Sequence, residues 1–355
     1  MATRPSPILA ALALTLSLAP KATGQASPSP ARESAGPAPR SGTALVITGA
    51  AARIPQETAL LEALDERGLL KDLVFVSGVS SGALNAVALN GILAGRMTWE
   101  EYKEILFGMK TSDVFTRSGR LIPVDTTPAR NLYRKVVEER LGYRRIGDLP
   151  LATALTVTRL KDLGLAKTAY RLCSRKINEE SDPEIGLVDI LMASTAFPLV
   201  FPPARIPGAA TIPDIAYVDG GAGEDFVPFE ALLEFEAARG RGVDRVYVVS
   251  RKNDGLGAAR EELRALAGAD EKMAAALEIP LEAIVHRKLN EGLRVLERRA
   301  PELAARTYIW KPEFPEEFQL FDFSNLERQY SLTREWAASR EPVPLGLYLE
   351  TGGAR

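Results

Sequence analysis

Leu73-Val74-Phe75-Val76-Ser77-Gly78-Val79-Ser80-Ser81-Gly82-Ala83-Leu84-Asn85-Ala86-Val87-Ala88 is the stretch on which the fold turns. Four apolar residues run into Ser77-Gly78, and beyond Gly82 the apolar positions Ala83, Leu84, Val87, Ala88 and Ile92 recur at helical spacing. Strand, tight turn and helix follow one another within twenty residues. The same unit stands just upstream. Ala44-Leu45-Val46-Ile47 lies between Gly42 and Gly49, and Leu60, Leu61, Leu64 and Leu69 follow on an amphipathic pattern. Working outward, Ala154 to Thr158, Thr168 to Leu172, Ile215 to Val218, Val246 to Ser250 and Tyr308 to Trp310 read as further strands, with helical stretches between most of them. This alternation predicts an α/β fold with a mainly parallel central sheet and helices on both faces. In such folds, sites lie beyond the carboxyl ends of the strands.

Composition narrows the chemistry. The 355 residues are 46% hydrophobic and 25% charged, which is globular and rules out a disordered or collagen-like chain. Lys and Arg number 44 against 46 Asp and Glu, a net charge of -2, so no basic field points to nucleic acid as a partner. A single cysteine, Cys173, and a single histidine, His286, cannot build a disulfide or a Cys/His zinc cluster. No cofactor and no metal is expected. At the N-terminus, Arg4 precedes a charge-free Leu/Ala-rich run from Ile8 to Ala19, and small residues follow. That run is shorter than the ~20 residues a membrane span needs, so residues 1–24 read as an export signal. Residues 25–42, with Pro28, Pro30, Pro37 and Pro39 among Ser, Ala and Gly, read as a linker. The remaining 43–355 is expected to be the folded unit, with a core over 43–250 and a helical C-terminal part over 251–355.

Gly78-Val79-Ser80-Ser81-Gly82 is a G-x-S-x-G sequence between a predicted strand and a predicted helix, the setting of a nucleophile elbow. Gly78 and Gly82 permit a sharp turn that lifts the Ser80 hydroxyl above the sheet edge, over the electropositive start of a helix. A hydroxyl nucleophile needs a base. Asp219 in Tyr217-Val218-Asp219-Gly220-Gly221 ends a predicted strand, and Gly220 and Gly221 leave its carboxylate uncrowded. Asp214 is a nearby rival. His286 sits on the flank of a helical apolar face formed by Leu281, Ile284, Val285, Leu289 and Leu296. It keeps open a Ser80, Asp219, His286 triad, whose chain order matches that of the α/β-hydrolases.

Ser80 in its Gly-Val-Ser-Ser-Gly-Ala-Leu-Asn-Ala setting, Ala193-Ser194-Thr195-Ala196-Phe197-Pro198 with Phe201-Pro202-Pro203, and Asp219 in Asp-Gly-Gly together resemble a patatin-like phospholipase. The resemblance spans about Thr43 to Ser250, with weaker likeness to about Pro342. It implies a lipid acyl hydrolase of the phospholipase A or lysophospholipase type, with Ser80 as nucleophile, Asp219 as base and no histidine. It also implies an oxyanion loop over Gly49, Ala50, Ala51 and Arg53.

Here the chain departs from the family's pattern. Alanines stand where glycines are usual in that loop, Ile54 replaces a further one, and Asp225 and Pro228 alter the spacing after Asp219. A positive φ at Ala50 or Ala51 would be strained by about 1 kcal/mol. A catalytically weak lipid-binding relative is therefore a third reading. The expected partner is a lipid or other acyl ester; the Phe197, Leu199, Val200 and Phe201 cluster reads first as core packing and second as the lining of its channel. Arg287, Arg294 and Arg298 read first as a solvated face and second as a transient contact with a membrane surface, and no obligate protein partner is evident.

Overall fold

The computed structural model describes residues 41–117, 124–161, 164–198, 200–208, 216–239, 242–253 and 281–351, of which 117, 161, 164–168, 239 and 281–287 are described by their backbone alone. The expected export signal and nearly all of the linker lie outside these residues. So do Leu199, Asp214 and the side chains of His286 and Arg287.

Every expected strand forms. In chain order the strands are β1 (Thr43–Ile47), β2 (Leu73–Val79), β3 (Thr116–Arg117), β4 (Val124–Asp125), β5 (Ala152–Lys161), β6 (Gly164–Cys173), β7 (Ala204–Arg205), β8 (Ala216–Asp219), β9 (Arg245–Val249), β10 (Thr307–Trp310) and β11 (Val343–Pro344). β3 and β4 make a separate small ribbon. The others form one sheet in the order β11-β10-β9-β1-β2-β5-β8-β7, with β6 also paired to β5. The five strands from β10 to β5 are parallel, and the antiparallel pairings lie at the two sides. β10 and β11 come from the C-terminal part expected to be helical, so that part completes the sheet.

The central strands read as continuous apolar runs because both faces are covered. Leu45 and Ile47 of β1, with Tyr247 and Val249 of β9, pack on the face carrying the helices Ile54–Glu66 and Ser81–Leu93. Ala44 and Val46, with Val246 and Val248, pack on the opposite face under the helices Glu230–Arg239 and Leu281–Arg299. The period-2 alternation of a strand makes this division. Among the described residues, no helix is long and apolar enough to cross a membrane.

One register decides where the chemistry can occur. β2 runs parallel to β5 and ends with Val79 opposite Thr156, while β8 runs antiparallel to β5 and ends with Asp219 opposite Val157. The carboxyl ends of β2 and β8 thus reach neighbouring positions of β5 from opposite directions.

Candidate active site

Ser80 follows the end of β2 and precedes the helix Ser81–Leu93. Its φ of 57° and ψ of -128° are a backbone state that L-residues rarely adopt, as expected of a strained elbow. The turn exists because its glycines let main chains touch. A Cβ on Gly78 would lie 2.3 Å from the Gly82 carbonyl oxygen, and one on Gly82 would lie 2.3 Å from that of Thr48. The Ser80 N–H donates to Ser194 Oγ at 3.0 Å, and Ser194 donates onward to the Thr156 carbonyl at 2.8 Å. Ser194, inside the Ala-Ser-Thr-Ala-Phe-Pro stretch, is thus the brace that ties the elbow to β5.

Asp219 is 3% exposed, and its Oδ1 accepts the Gly221 N–H at 2.7 Å. The Ser80 side chain lies beside the same carboxylate and acts to lower its proton affinity. Burial pushes the Asp219 carboxyl up to about 6, against the opposing pull of Ser80, the Gly221 N–H and the nearby Lys288 charge. A Cβ on Gly220 would strike the Thr156 carbonyl at 2.5 Å, so the turn after Asp219 packs directly on β5. The Asp219 N–H donates to the Ala196 carbonyl at 2.9 Å. Asp225 and Pro228 brace the strands beneath: Thr156 Oγ1 donates to Asp225 at 3.1 Å, and Ser77 Oγ to the Pro228 carbonyl at 2.7 Å. Of the sequence-predicted residues, Ser80, Asp219, Gly49 and the four motif glycines 78, 82, 220 and 221 come together here.

The loop after β1 lies beside Ser80, but two of its expected members do other work. A Cβ on Gly49 would sit 3.0 Å from Ser80 Cβ, so this glycine faces Ser80. The Ala50 N–H donates to Ser81 Oγ at 2.6 Å and is thereby removed as an oxyanion donor. Ser81 in turn donates to the fully buried Glu57, which also receives Asn85 Nδ2 at 3.1 Å. Burial raises the proton affinity of Glu57 well above the usual carboxylate range. Arg53 is also fully buried, with Nε and Nη2 donating to the Phe318 carbonyl at 3.2 and 2.6 Å. Its guanidinium therefore anchors the 311–325 segment, and Arg53 does not line the cavity around Ser80. The Ala52 N–H is held by the Leu320 carbonyl and the Arg53 N–H by that of Ala50. Gly49 and Ala51 are left as the donors of this loop.

Ala51 has a φ of +49°, whereas Ala50, at -136°, is unstrained. The strain expected from the alanine-rich loop thus falls on Ala51 alone. Ala51→Gly is expected to relieve about 1 kcal/mol, raising the melting temperature slightly and leaving ester hydrolysis unchanged or faster. Ala50→Gly should bring no such gain. A tenfold loss of kcat/KM in Ala51→Gly would show that its methyl group is needed against the substrate.

Ser80 opens into a cavity with an empty volume of about 730 Å³, solvent at its mouth included. Its walls are apolar, with Leu84, Met109, Phe197, Phe201 and Phe321 prominent. Phe197 and Phe201 thus line the cavity, the second of the two readings of their cluster, while Val200 is buried with Leu320 and Phe321, in keeping with the first. A second apolar cavity of about 510 Å³ adjoins it and shares Ile54, Leu84, Met109 and Tyr133 as lining. Tyr133 donates to Thr195 Oγ1 at 3.3 Å, and its phenol, raised by burial to about 12, stays protonated.

Ser194, Glu57 and Lys288 escaped sequence reasoning. Ser194 belongs to a legible motif, but its contact with Ser80 spans 114 positions. Glu57 reads as an ordinary first-turn helix acid, and Lys288 as one cation in a basic helix.

No curated protein matches the chain. Three of the solved structures it is similar to illustrate the likeness. The first is VipD from Legionella pneumophila, at 13% identity over 85% of this chain and 67% of that one, with a TM-score of 0.40. The second is the type III effector ExoU of Pseudomonas aeruginosa, at 13% identity over 90% and 54%, with a TM-score of 0.42. The third is human GIVD cytosolic phospholipase A2, at 12% identity over 88% and 62%, with a TM-score of 0.38. The chain thus spans between about half and two thirds of these solved chains. The sequence profile described as patatin-like phospholipase matches residues 45–233, just over half of the chain and including both Ser80 and Asp219, and the chain belongs to that family.

Proposed function

We propose that the protein is an exported lipid acyl hydrolase that cleaves carboxylic esters through an acyl-Ser80 intermediate, with Asp219 as the base. The observation that carries this reading is the Ser80 side chain beside the buried Asp219 carboxylate at an apolar cavity. Ser80 Oγ attacks the ester carbonyl carbon as its proton passes to Asp219. The N–H groups of Gly49 and Ala51 receive the oxyanion. Asp219 returns the proton to the departing alcohol. Water then attacks the acyl-Ser80 carbonyl and gives a proton to Asp219, the fatty acid leaves, and the proton goes back to Ser80. The acyl chain occupies the apolar cavity, and the adjoining chamber gives a long chain room to continue. Assay of the purified protein against phospholipids, lysophospholipids, glycerides and soluble esters, with Ser80→Ala as control, tests the reading. No Ser80-dependent release of fatty acid from any of them would overturn it.

The direct approach of the Ser80 side chain to Asp219 favours the dyad over a triad that interposes His286. A base must be ionised to accept a proton, and the Asp219 carboxyl titrates at about 6. Log kcat/KM is therefore expected to rise with pH below about 6 and level off above it. A flat profile from pH 5 to 8 would remove Asp219 from the base role.

Export belongs to the same proposal and rests on the apolar run Ile8 to Ala19 after Arg4. Expression in a bacterial host is expected to yield a processed chain beginning near Gln25 or Ser27. N-terminal sequencing that finds only uncleaved chain would overturn it.

A further inference from the structure

Lys288 lies in the helix Leu281–Arg299, beyond the 45–233 span that marks the family. Its Nζ donates to three successive carbonyls, those of Gly221 at 2.6 Å, Ala222 at 2.8 Å and Gly223 at 3.0 Å. An ammonium has three donors, and here all three go to one turn. That turn begins with the residues after Asp219, and Gly221, held by Lys288 through its carbonyl, holds Asp219 Oδ1 through its N–H at 2.7 Å. The contact joins a C-terminal helix to the end of β8 across 67 positions of chain.

We propose that Lys288 is a positioning residue for Asp219, pinning the turn that orients the carboxylate and placing a positive charge behind it. The inference rests on the assignment of Asp219 as base. Around Asp219 stand the Ser80 hydroxyl, the neutral Tyr133 phenol and Lys288. Lys288 itself borders a polar cleft whose other charged groups are Arg171, Glu224, Asp225, Glu230, Glu291 and Arg299. Burial lowers the proton affinity of Lys288, while Asp219 and Glu291 act to raise it. The charge on Lys288 lowers that of Asp219, against the larger effect of burial. A lone buried carboxylate would be protonated further into the neutral range, and an ionised lysine beside it keeps it available as an acceptor. The turn carbonyls point their negative ends at the ammonium, so it is held without a carboxylate bonding to it at the expense of Asp219.

The test uses the full-length protein with Lys288→Met and Lys288→Gln, which remove the charge, and Lys288→Arg, which keeps it. Two readouts are followed: the pH dependence of kcat/KM on a soluble ester, and the titration of the Asp219 carboxyl by carbon-13 NMR, identified by its loss in Asp219→Asn. In the neutral variants both the acid limb and the carboxyl titration are expected to move upward by about half to one pH unit. Activity at pH 6 would then fall about two- to fivefold relative to wild type, with a smaller loss at pH 8. Lys288→Arg should restore both. An unmoved carboxyl titration in a folded neutral variant, or a shift in Lys288→Arg as large as that in Lys288→Met, would overturn the proposal. A carboxyl titration that moves while the acid limb stays in place would support the role of Lys288 and overturn Asp219 as the base.

Discussion

Ser80→Ala and Asp219→Asn are each expected to lower kcat/KM for ester hydrolysis by about 10³-fold or more, and the double variant to lose little beyond either single one. In the proposed mechanism nucleophile and base act as one unit: without Asp219 the Ser80 proton would have no acceptor, and without Ser80 there would be nothing to activate. The fold should survive both changes. Alanine at 80 removes only an oxygen, and asparagine at 219 keeps an acceptor for the Gly221 N–H. Stability should shift with a definite sign. The Asp219 carboxyl titrates at about 6 in the folded chain against an ordinary 3.8, so the folded state binds more protons between those values. Its ionisation therefore costs stability that is absent below about pH 4, grows through the window to about pH 6, and is then constant. Asp219→Asn removes that cost. Its melting temperature should match wild type at pH 4 and equal or exceed it at pH 8. His286→Gln should retain most activity at both values. Hydrolysis within a few-fold of wild type in folded Ser80→Ala or Asp219→Asn would sink the dyad, and a loss in His286→Gln matching that of Ser80→Ala would move the base role to His286.

Gly82→Ala is expected to be among the most damaging single-methyl changes at the described glycines. The added Cβ would lie 2.3 Å from the Thr48 carbonyl oxygen and 2.6 Å from that of Ile47. Both atoms are backbone at the end of β1, locked between β2 and β9, and cannot swing away as a side chain would. Separating the helix Ser81–Leu93 from β1 would also loosen Gly49 against Ser80. A loss on the order of 4 kcal/mol or more is expected, with a melting temperature lower by roughly 10 °C. Gly108→Ala is the control, since a Cβ there would meet nothing within 4 Å and its φ is ordinary. Thermal unfolding of the two variants decides it, and a Gly82→Ala protein that melts within about 2 °C of wild type would mean that β1 and the elbow are not in the contact described.

Much of the site was legible because it is local. Ser80 stands between two glycines at a strand-to-helix junction, and Asp219 stands before two glycines at a strand end, so a few adjacent residues suffice to propose each one. The loop proposed to hold the oxyanion lies beside Ser80, but its detail was not legible. That Ala51 carries the strain, and that the Ala50 N–H is already taken, depends on Ser81 and Glu57 arriving from two different helices. Arg53 shows the same limit. A basic residue after a loop reads as part of the site, yet its guanidinium is committed to a carbonyl 265 positions away.

By itself, then, the sequence determined the alternation of strand and helix, the apolar faces on both sides of the sheet, the elbow at Ser80 and the strand-end aspartate. Each follows from a periodicity or a turn requirement that acts over about ten residues. Only the tertiary structure decided that β8 runs antiparallel along β5 and ends level with β2, which puts Asp219 beside Ser80. It likewise decided which N–H groups stay free beside the nucleophile and that Lys288 grips the turn after Asp219. The physical reason is common to all three. Strand order and buried polar pairing are settled by which distant groups satisfy one another once water is excluded, and no local pattern in the chain records that choice.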